Sequence, residues 1–191
     1  MRLICTVLAL VGLALTGIVA GAPRGLAKSH GPKRAEITEI IVHATGGPFC
    51  QAGAVAFSPG GTIDGIRRFF EANGVVSIHY IIGQDGAVAR SVPEDEVAYH
   101  AVGHNQNSIG IELINAGDGR ESFPQVQIAA LARVIAGIRQ RYRIPMWEVK
   151  GHSDVDHSMF ACGGKEVRRK QDPGPAFPWD QFRLQVLFAE K

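Results

Sequence analysis

Residues Glu36 to His43 carry Ile37, Ile40, Ile41 and Val42, a β-branched run that ends on an imidazole. Branching at Cβ suits a pleated, extended backbone, and a stretch this apolar suits a strand buried within the fold. Such a strand needs covering elements. Ile63, Ile66, Phe69 and Phe70 recur at helical spacing after Thr62, which can cap the helix, and Asn73-Gly74 stops it. Val75 to Gly83 predicts a second strand, Asp85-Gly86 a hairpin turn, and Ala87 to Val92 the returning strand. Ser108 to Ile114 alternates, which puts Glu112 on the opposite side from Ile111 and Leu113. Ser122 and Pro124 open the longest helix, with Leu131, Val134, Ile135, Ile138 and Tyr142 in one apolar stripe. Met146 to Val149 predicts a short strand that delivers Gly151-His152, and Trp179 to Phe188 a terminal helix. Ala44 to Gly61 and the stretch from His152 to Asp172 lack periodicity and read as loops. Strands interleaved with helices, plus one tight hairpin, predict a single-domain α/β fold with a central mixed β-sheet flanked by helices.

The first 22 residues read differently. Arg2 precedes an uncharged apolar run from Leu3 to Ala20, and small residues follow it, which is the order of a secretory signal peptide with cleavage near residues 20–27. The run is also long enough to span a bilayer, so an uncleaved anchor is the competing reading. Residues 23–34 are rich in Gly, Pro and basic side chains and read as a flexible leader, leaving 35–191 for the domain. Cleavage would leave no stable membrane span, and the expected location is periplasmic or secreted. A net charge of +2, with basic clusters as short as Arg168-Arg169-Lys170, argues against nucleic acid as a partner. Oligomeric state has no signature in the chain.

Cleavage would also remove Cys5, leaving Cys50 and Cys162 as an even pair in an oxidising compartment. A disulfide between them is expected. The alternatives are two free thiols, or a thiolate that shares a metal with His152.

Chemistry concentrates in a few positions. His43 closes one predicted strand and His152 another, and a strand end followed by a loop is where a fold presents a functional side chain on rigid support. Asp172 sits before Pro173-Gly174, a sequence that also serves as an ordinary turn. Two imidazoles and a carboxylate are accepted zinc donors, and a hydrolytic zinc needs three of them plus an open position. No local His-Glu-x-x-His motif is present, so the fold must assemble such a site. Glu112 on an apolar strand needs a partner or a purpose if buried. Lys170, after two arginines, reads alone as a solvated basic run.

Ile41-Val42-His43, Val76-Ser77-Ile78-His79-Tyr80, Asp85-Gly86, Ala98-Tyr99-His100, Asn107-Ser108-Ile109-Gly110-Ile111-Glu112, Gly151-His152-Ser153-Asp154 and Lys170-Gln171-Asp172-Pro173-Gly174-Pro175, followed by Phe177 and Trp179, occur in that order. Together they resemble the zinc-dependent N-acetylmuramoyl-L-alanine amidases, the type shared by bacterial cell-wall amidases, phage lysozyme-like amidases and animal peptidoglycan recognition proteins. The resemblance covers roughly Ile40 to Trp179. It implies that His43, His152 and Asp172 hold Zn²⁺, that Glu112 is a general base and then acid, and that Lys170 stabilises an oxyanion. It implies hydrolysis of the amide between N-acetylmuramic acid and L-alanine in peptidoglycan or muropeptides, with His100 and Asn107 as substrate contacts. His79 is expected to support the site or the core, and His104 and His157 to stay outside the ligand set.

Three departures stand out. Ile78 occupies a place where some members carry tyrosine, Tyr99 replaces a tryptophan often found before the His100 position, and the connection from His152 to Asp172 is long. The alternative to an enzyme is a non-catalytic peptidoglycan-binding module, which usually lacks a zinc ligand. A zinc peptidase or deacetylase of another fold would lack the Glu112 and Lys170 patterns.

Overall fold

The computed structural model describes residues 30–33 and 36–191. The predicted signal peptide and most of the predicted leader lie outside the described residues. In chain order the elements are β1 (His30–Lys33), β2 (Glu39–Ala44), β3 (Pro48–Gln51), β4 (Ala54–Phe57), α1 (Ile63–Asn73), β5 (Tyr80–Ile82), β6 (Val88–Arg90) and β7 (Glu96–Ala98). They continue with β8 (Ser108–Leu113), α2 (Gln125–Tyr142), β9 (Val149–Gly151), the one-turn α3 (His152–Val155), β10 (Met159–Cys162), β11 (Lys165–Arg168) and α4 (Trp179–Ala189). The central sheet has the order β6-β5-β8-β2-β9. The β5-β6 pair is antiparallel and the others are parallel, so the sheet is mixed as expected.

Period-two alternation assigns the two faces. Ile40 and Val42 of β2, Ile109, Ile111 and Leu113 of β8, and Tyr80 and Ile82 of β5 join Leu131, Ile135 and Ile138 of α2 and Phe182 and Val186 of α4 in one buried cluster. Ile81 of β5 packs on the other face with Ile78, Ile114 and Phe70 of α1. Fully burying an aliphatic side chain of this size is worth about 1.5–3 kcal/mol. The α2/α4 face therefore carries most of the apolar stabilisation. That leaves the second face able to hold Glu39, His43, Ser108 and Glu112, which share strands with the core residues but point away from them.

Local signals explain several boundaries. Thr62 caps α1 by accepting a hydrogen bond from Gly65 N at 3.1 Å, and the helix ends at Gly74 in a left-handed conformation. Gln127 of α2 is fully buried, and its Nε2 donates to the carbonyls of Ile82 (3.0 Å) and Ile114 (3.2 Å), tying the helix to the ends of β5 and β8.

The structure departs from expectation in four places, one of them Met146–Glu148, which forms a 3₁₀ turn where a strand was expected, with β9 starting only at Val149. The predicted loops 44–61 and 152–172 each contain a two-stranded hairpin, β3-β4 and β10-β11. The stretch 75–79 is not strand, because β5 begins only at Tyr80. A short pair, β1 with β7, falls partly inside the predicted leader. Most side chains of β3 and β4 are exposed or half-buried, so no core imposed a hydrophobic alternation on them.

Cys50 of β3 and Cys162 of β10 form a disulfide, with Cα atoms 5.4 Å apart and 112 residues between them in sequence. A cross-link over a loop that long removes roughly 4–5 kcal/mol of unfolded-state entropy in the loop-closure account. The double substitution Cys50→Ser, Cys162→Ser is expected to approach that loss in urea unfolding. A loss under about 1 kcal/mol would mean that the two hairpins open before the domain unfolds.

Candidate metal centre

His43 is the penultimate residue of β2, Glu112 lies opposite it in the parallel register of β8, and His152 directly follows β9. Three adjacent parallel strands thus deliver their polar side chains at their carboxyl ends, the end at which open α/β sheets present ligand sites. Asp172 arrives from the turn after β11. That turn is seated on glycines: a Cβ on Gly174, whose φ is 94°, would lie 2.7 Å from the carbonyl oxygen of Gly117. The Asp172 carbonyl accepts a hydrogen bond from Ser153 N at 2.9 Å, which fixes the turn against α3.

The structure brings His43, His152 and Asp172 together. His43 Nδ1 lies 2.9 Å from His152 Nδ1 and 3.2 Å from Asp172 Oδ2, and His152 Nδ1 lies 3.1 Å from the same oxygen. All three residues are buried. Tetrahedral zinc with bonds of about 2.0–2.2 Å holds neighbouring donors roughly 3.3 Å apart, close to this triangle. A shared proton can join only two of these atoms at a time, whereas one cation satisfies all three. The donor set therefore fits Zn²⁺.

The electrostatics agree. Burial, reinforced by the neighbouring His152, lowers His43 to about 4 although Asp172 opposes the shift, so the ring is neutral at physiological pH and keeps a lone pair. Burial alone would raise Asp172, but the two imidazoles of His152 and His43 against its Oδ2 outweigh it and hold the carboxyl well below the usual carboxylate range. Glu112 moves the other way: burial first, then the charge of Asp172, push it up to about 8, with Lys170 opposing. Among the described residues, Glu112 Oε2 has no hydrogen-bond partner.

A consequence for stability follows from that last group. The folded chain holds the Glu112 proton more tightly than the unfolded chain, so its contribution is complete below pH 4.5 and is lost as pH rises towards 8. In metal-free protein, Glu112→Gln is expected to raise the thermal midpoint at pH 9 relative to the parent and to leave it nearly unchanged at pH 4. The check is a melting series over that range, and equal shifts at both ends would contradict the assignment.

The triad opens into a cleft of about 560 Å³. Its lining combines the polar His43, Tyr99, His100, Glu112, His152, Arg169, Lys170 and Asp172 with the apolar Phe49, Ile66, Phe69, Phe70 and Val76. The basic run divides here. Arg168 turns inward, and its Nη2 donates to the carbonyls of Ser153 (2.6 Å) and Asp156 (3.2 Å), while Arg169 and Lys170 face the cleft. Only Lys170 of the three stood out in the sequence, through its spacing from Asp172. Phe49 and Phe69, which are 41% and 51% exposed, carried no signal beyond ordinary apolar content.

The other expected residues separate. Asn107 does not join the cleft. It lies at the opposite end of β8, where its carbonyl accepts from Thr38 N (2.8 Å) and Glu39 N (3.2 Å) and its Nδ2 donates to Thr38 Oγ1. His104 Nδ1 pairs with Glu39 Oε1 at 2.7 Å, and His157 meets Arg168 on the surface, so neither reaches the triad. His79 is fully buried, with Nδ1 accepting from Gly110 N at 3.0 Å and Nε2 donating to the Glu96 carbonyl at 3.1 Å, a supporting role in the core.

The family described as N-acetylmuramoyl-L-alanine amidase matches residues 33–175, three quarters of the chain, and the match includes every residue of this triad. The chain belongs to that family. Among individual relatives, it is 33% identical to N-acetylmuramoyl-L-alanine amidase AmiD of Escherichia coli over 136 residues, 60% of this chain and 46% of AmiD. It is 32% identical to 1,6-anhydro-N-acetylmuramyl-L-alanine amidase AmpD of Enterobacter cloacae over 173 residues, 81% of this chain and 83% of that protein. For AmiD and the AmpD of E. coli, the chain spans about half the relative's length. Among solved structures, E. coli AmiD in complex with the substrate anhydro-N-acetylmuramic acid-L-Ala-D-gamma-Glu-L-Lys superposes with a TM-score of 0.58 at 26% identity, covering 85% of this chain and 61% of that one.

Proposed function

We propose that this amidase-family chain is a Zn²⁺-dependent enzyme that hydrolyses the amide between N-acetylmuramic acid and L-alanine in peptidoglycan or its soluble fragments. The observation that carries the reading is the meeting of a buried His43-His152-Asp172 triad with Glu112, whose buried Oε2 has no hydrogen-bond partner among the described residues, in one cleft. Related proteins are named for this activity.

Zn²⁺ held by His43, His152 and Asp172 would supply a Lewis acid that activates water and polarises the scissile carbonyl. Glu112, set opposite His43 on the neighbouring strand and ionised once the positive charge of a bound cation offsets its burial, would accept the proton of the attacking water and pass it to the departing alanine nitrogen. Positioned acid-base work of this kind contributes roughly 10²–10⁴-fold. Lys170 faces the same cleft and places its positive charge where the carbonyl oxygen becomes negative. The apolar side chains of Phe49, Phe69 and Phe70 line the same cleft and offer the substrate an apolar surface.

Export fits the same reading. The disulfide is of a kind that persists in oxidising compartments, and the expected signal peptide supplies the route to a periplasmic or extracellular site. Among the described residues no helix is long and apolar enough to cross a membrane.

The deciding experiment is release of stem peptide from purified muropeptides and from intact sacculi, by protein with and without a chelator. The expected result is release that stops on chelation and returns with Zn²⁺. Stoichiometric zinc and muropeptide binding without release would replace the enzyme reading with the non-catalytic binding module.

A further inference from the structure

We propose that His100 is a positioning residue of the metal centre: acting with Ser108, it holds the His43 proton on Nε2 so that Nδ1 presents its lone pair to the cation. The inference rests on the reading of the triad as a zinc site.

Towards His100, the Ser108 hydroxyl oxygen can only accept. Ser108 Oγ donates to the backbone carbonyl of His104 at 2.6 Å, which commits the hydroxyl's single proton. His100 Nε2 lies 3.2 Å from the same Oγ, so at that contact the imidazole is the donor. A neutral imidazole with its proton on one nitrogen accepts at the other. His100 Nδ1 lies 3.0 Å from His43 Nε2, and there His43 donates. The proton of His43 is then on Nε2, and Nδ1, the atom 2.9 Å from His152 Nδ1 and 3.2 Å from Asp172 Oδ2, is free of hydrogen and can bind metal.

The reverse assignment fails locally. With the His43 proton on Nδ1, two lone pairs would face each other at the His43-His100 contact unless His100 turned its own proton inward. In that case the contact between His100 Nε2 and Ser108 Oγ would be left without a proton.

The fold holds the His100 ring where this relay needs it. Asn105 Oδ1 accepts from both His100 N and Ala101 N at 2.8 Å, which fixes the backbone. Gly110 of β8 lies beneath the ring, where a Cβ would come within 2.6 Å of His100 Cγ and Nδ1, so no larger residue fits without displacing it. Ser108 and Gly110 are neighbours on the face of β8 that also carries Glu112. One strand therefore supplies the proposed base and the support for a ligand on the adjacent strand. Both ring nitrogens of His100 are engaged by protein, which argues against the substrate hydrogen bond expected from sequence.

The test measures zinc affinity of the full-length exported chain by chelator competition for the parent, His100→Ala, His100→Asn and Ser108→Ala, with a thermal midpoint for each. Loss of a ligand's outer hydrogen-bond partner typically costs about 10–100-fold in metal affinity, and His100→Ala is expected to fall in that range. His100→Asn, whose amide oxygen can stand where Nδ1 does, is expected to recover most of the loss, and Ser108→Ala to show a smaller decrease than His100→Ala. In zinc-loaded parent protein the His43 Nε2 proton should appear in ¹⁵N-edited spectra as a slowly exchanging imidazole signal that His100→Ala abolishes. A folded His100→Ala with parental zinc affinity and a raised KM for muropeptide would overturn the proposal in favour of substrate contact. Equal losses in His100→Ala and His100→Asn would overturn it in favour of general packing. A parent that binds no zinc would remove the metal reading itself, an outcome distinct from both.

Discussion

Glu112→Gln is expected to lower the rate of muramoyl-alanine hydrolysis by roughly 10²–10⁴-fold while leaving one Zn²⁺ per chain. The substitution keeps the shape of the side chain and removes its capacity to take a proton. Glu112 is opposite His43 in register but is not one of the three converging donors, so the triad itself is untouched. The measurement pairs turnover of a defined muropeptide with metal content of the same sample. Loss of zinc alongside loss of activity would make Glu112 a support of the metal centre, and undiminished turnover would remove it from the chemistry.

Asp172→Ala separates metal from base in the opposite direction. Asp172 Oδ2 is the one anionic donor of the triad, and it faces both Nδ1 atoms at 3.1–3.2 Å. Its removal leaves two imidazoles and an open position. Zinc affinity is expected to fall by more than the 10–100-fold that an outer-shell partner costs, and activity to fall with it. Competition with a chelator gives the affinity. Partial recovery of turnover at high added Zn²⁺ would confirm that the defect is occupancy, a recovery that Glu112→Gln should never show.

Much of this centre was legible because polar residues interrupt apolar patterns. His43 stands out after Ile40-Ile41-Val42, and Glu112 stands out between Ile111 and Leu113, since a core strand admits such groups only where the fold uses or satisfies them. The Thr62 cap and the α2 stripe were legible for related reasons: capping and helical periodicity are local. The hairpins β3-β4 and β10-β11 were not. Phe49, Cys50, Gln51, Ala54 and Val55 are all exposed, so burial imposes no pattern, and a cross-link 112 residues long holds them near β10. Asn107 and His100 show a different limit. Both lie in stretches that resemble the family, but which end of a strand a residue occupies, and which ring nitrogen meets which neighbour, depends on register and packing that spacing does not encode.

The disulfide gives the cleft an architecture in two separable layers. Everything assigned to chemistry stands on the sheet or on the Asp172 turn packed against it. The two hairpins emerge from the connections just beyond His43 and His152 and are bolted to each other at Cys50 and Cys162. Changes to these connections therefore leave the sheet-borne triad in place, but they must treat both hairpins as one cassette. Transplanting either alone would strand a half-bridge, whereas grafting the pair would carry the bridged unit intact onto another scaffold of the same sheet.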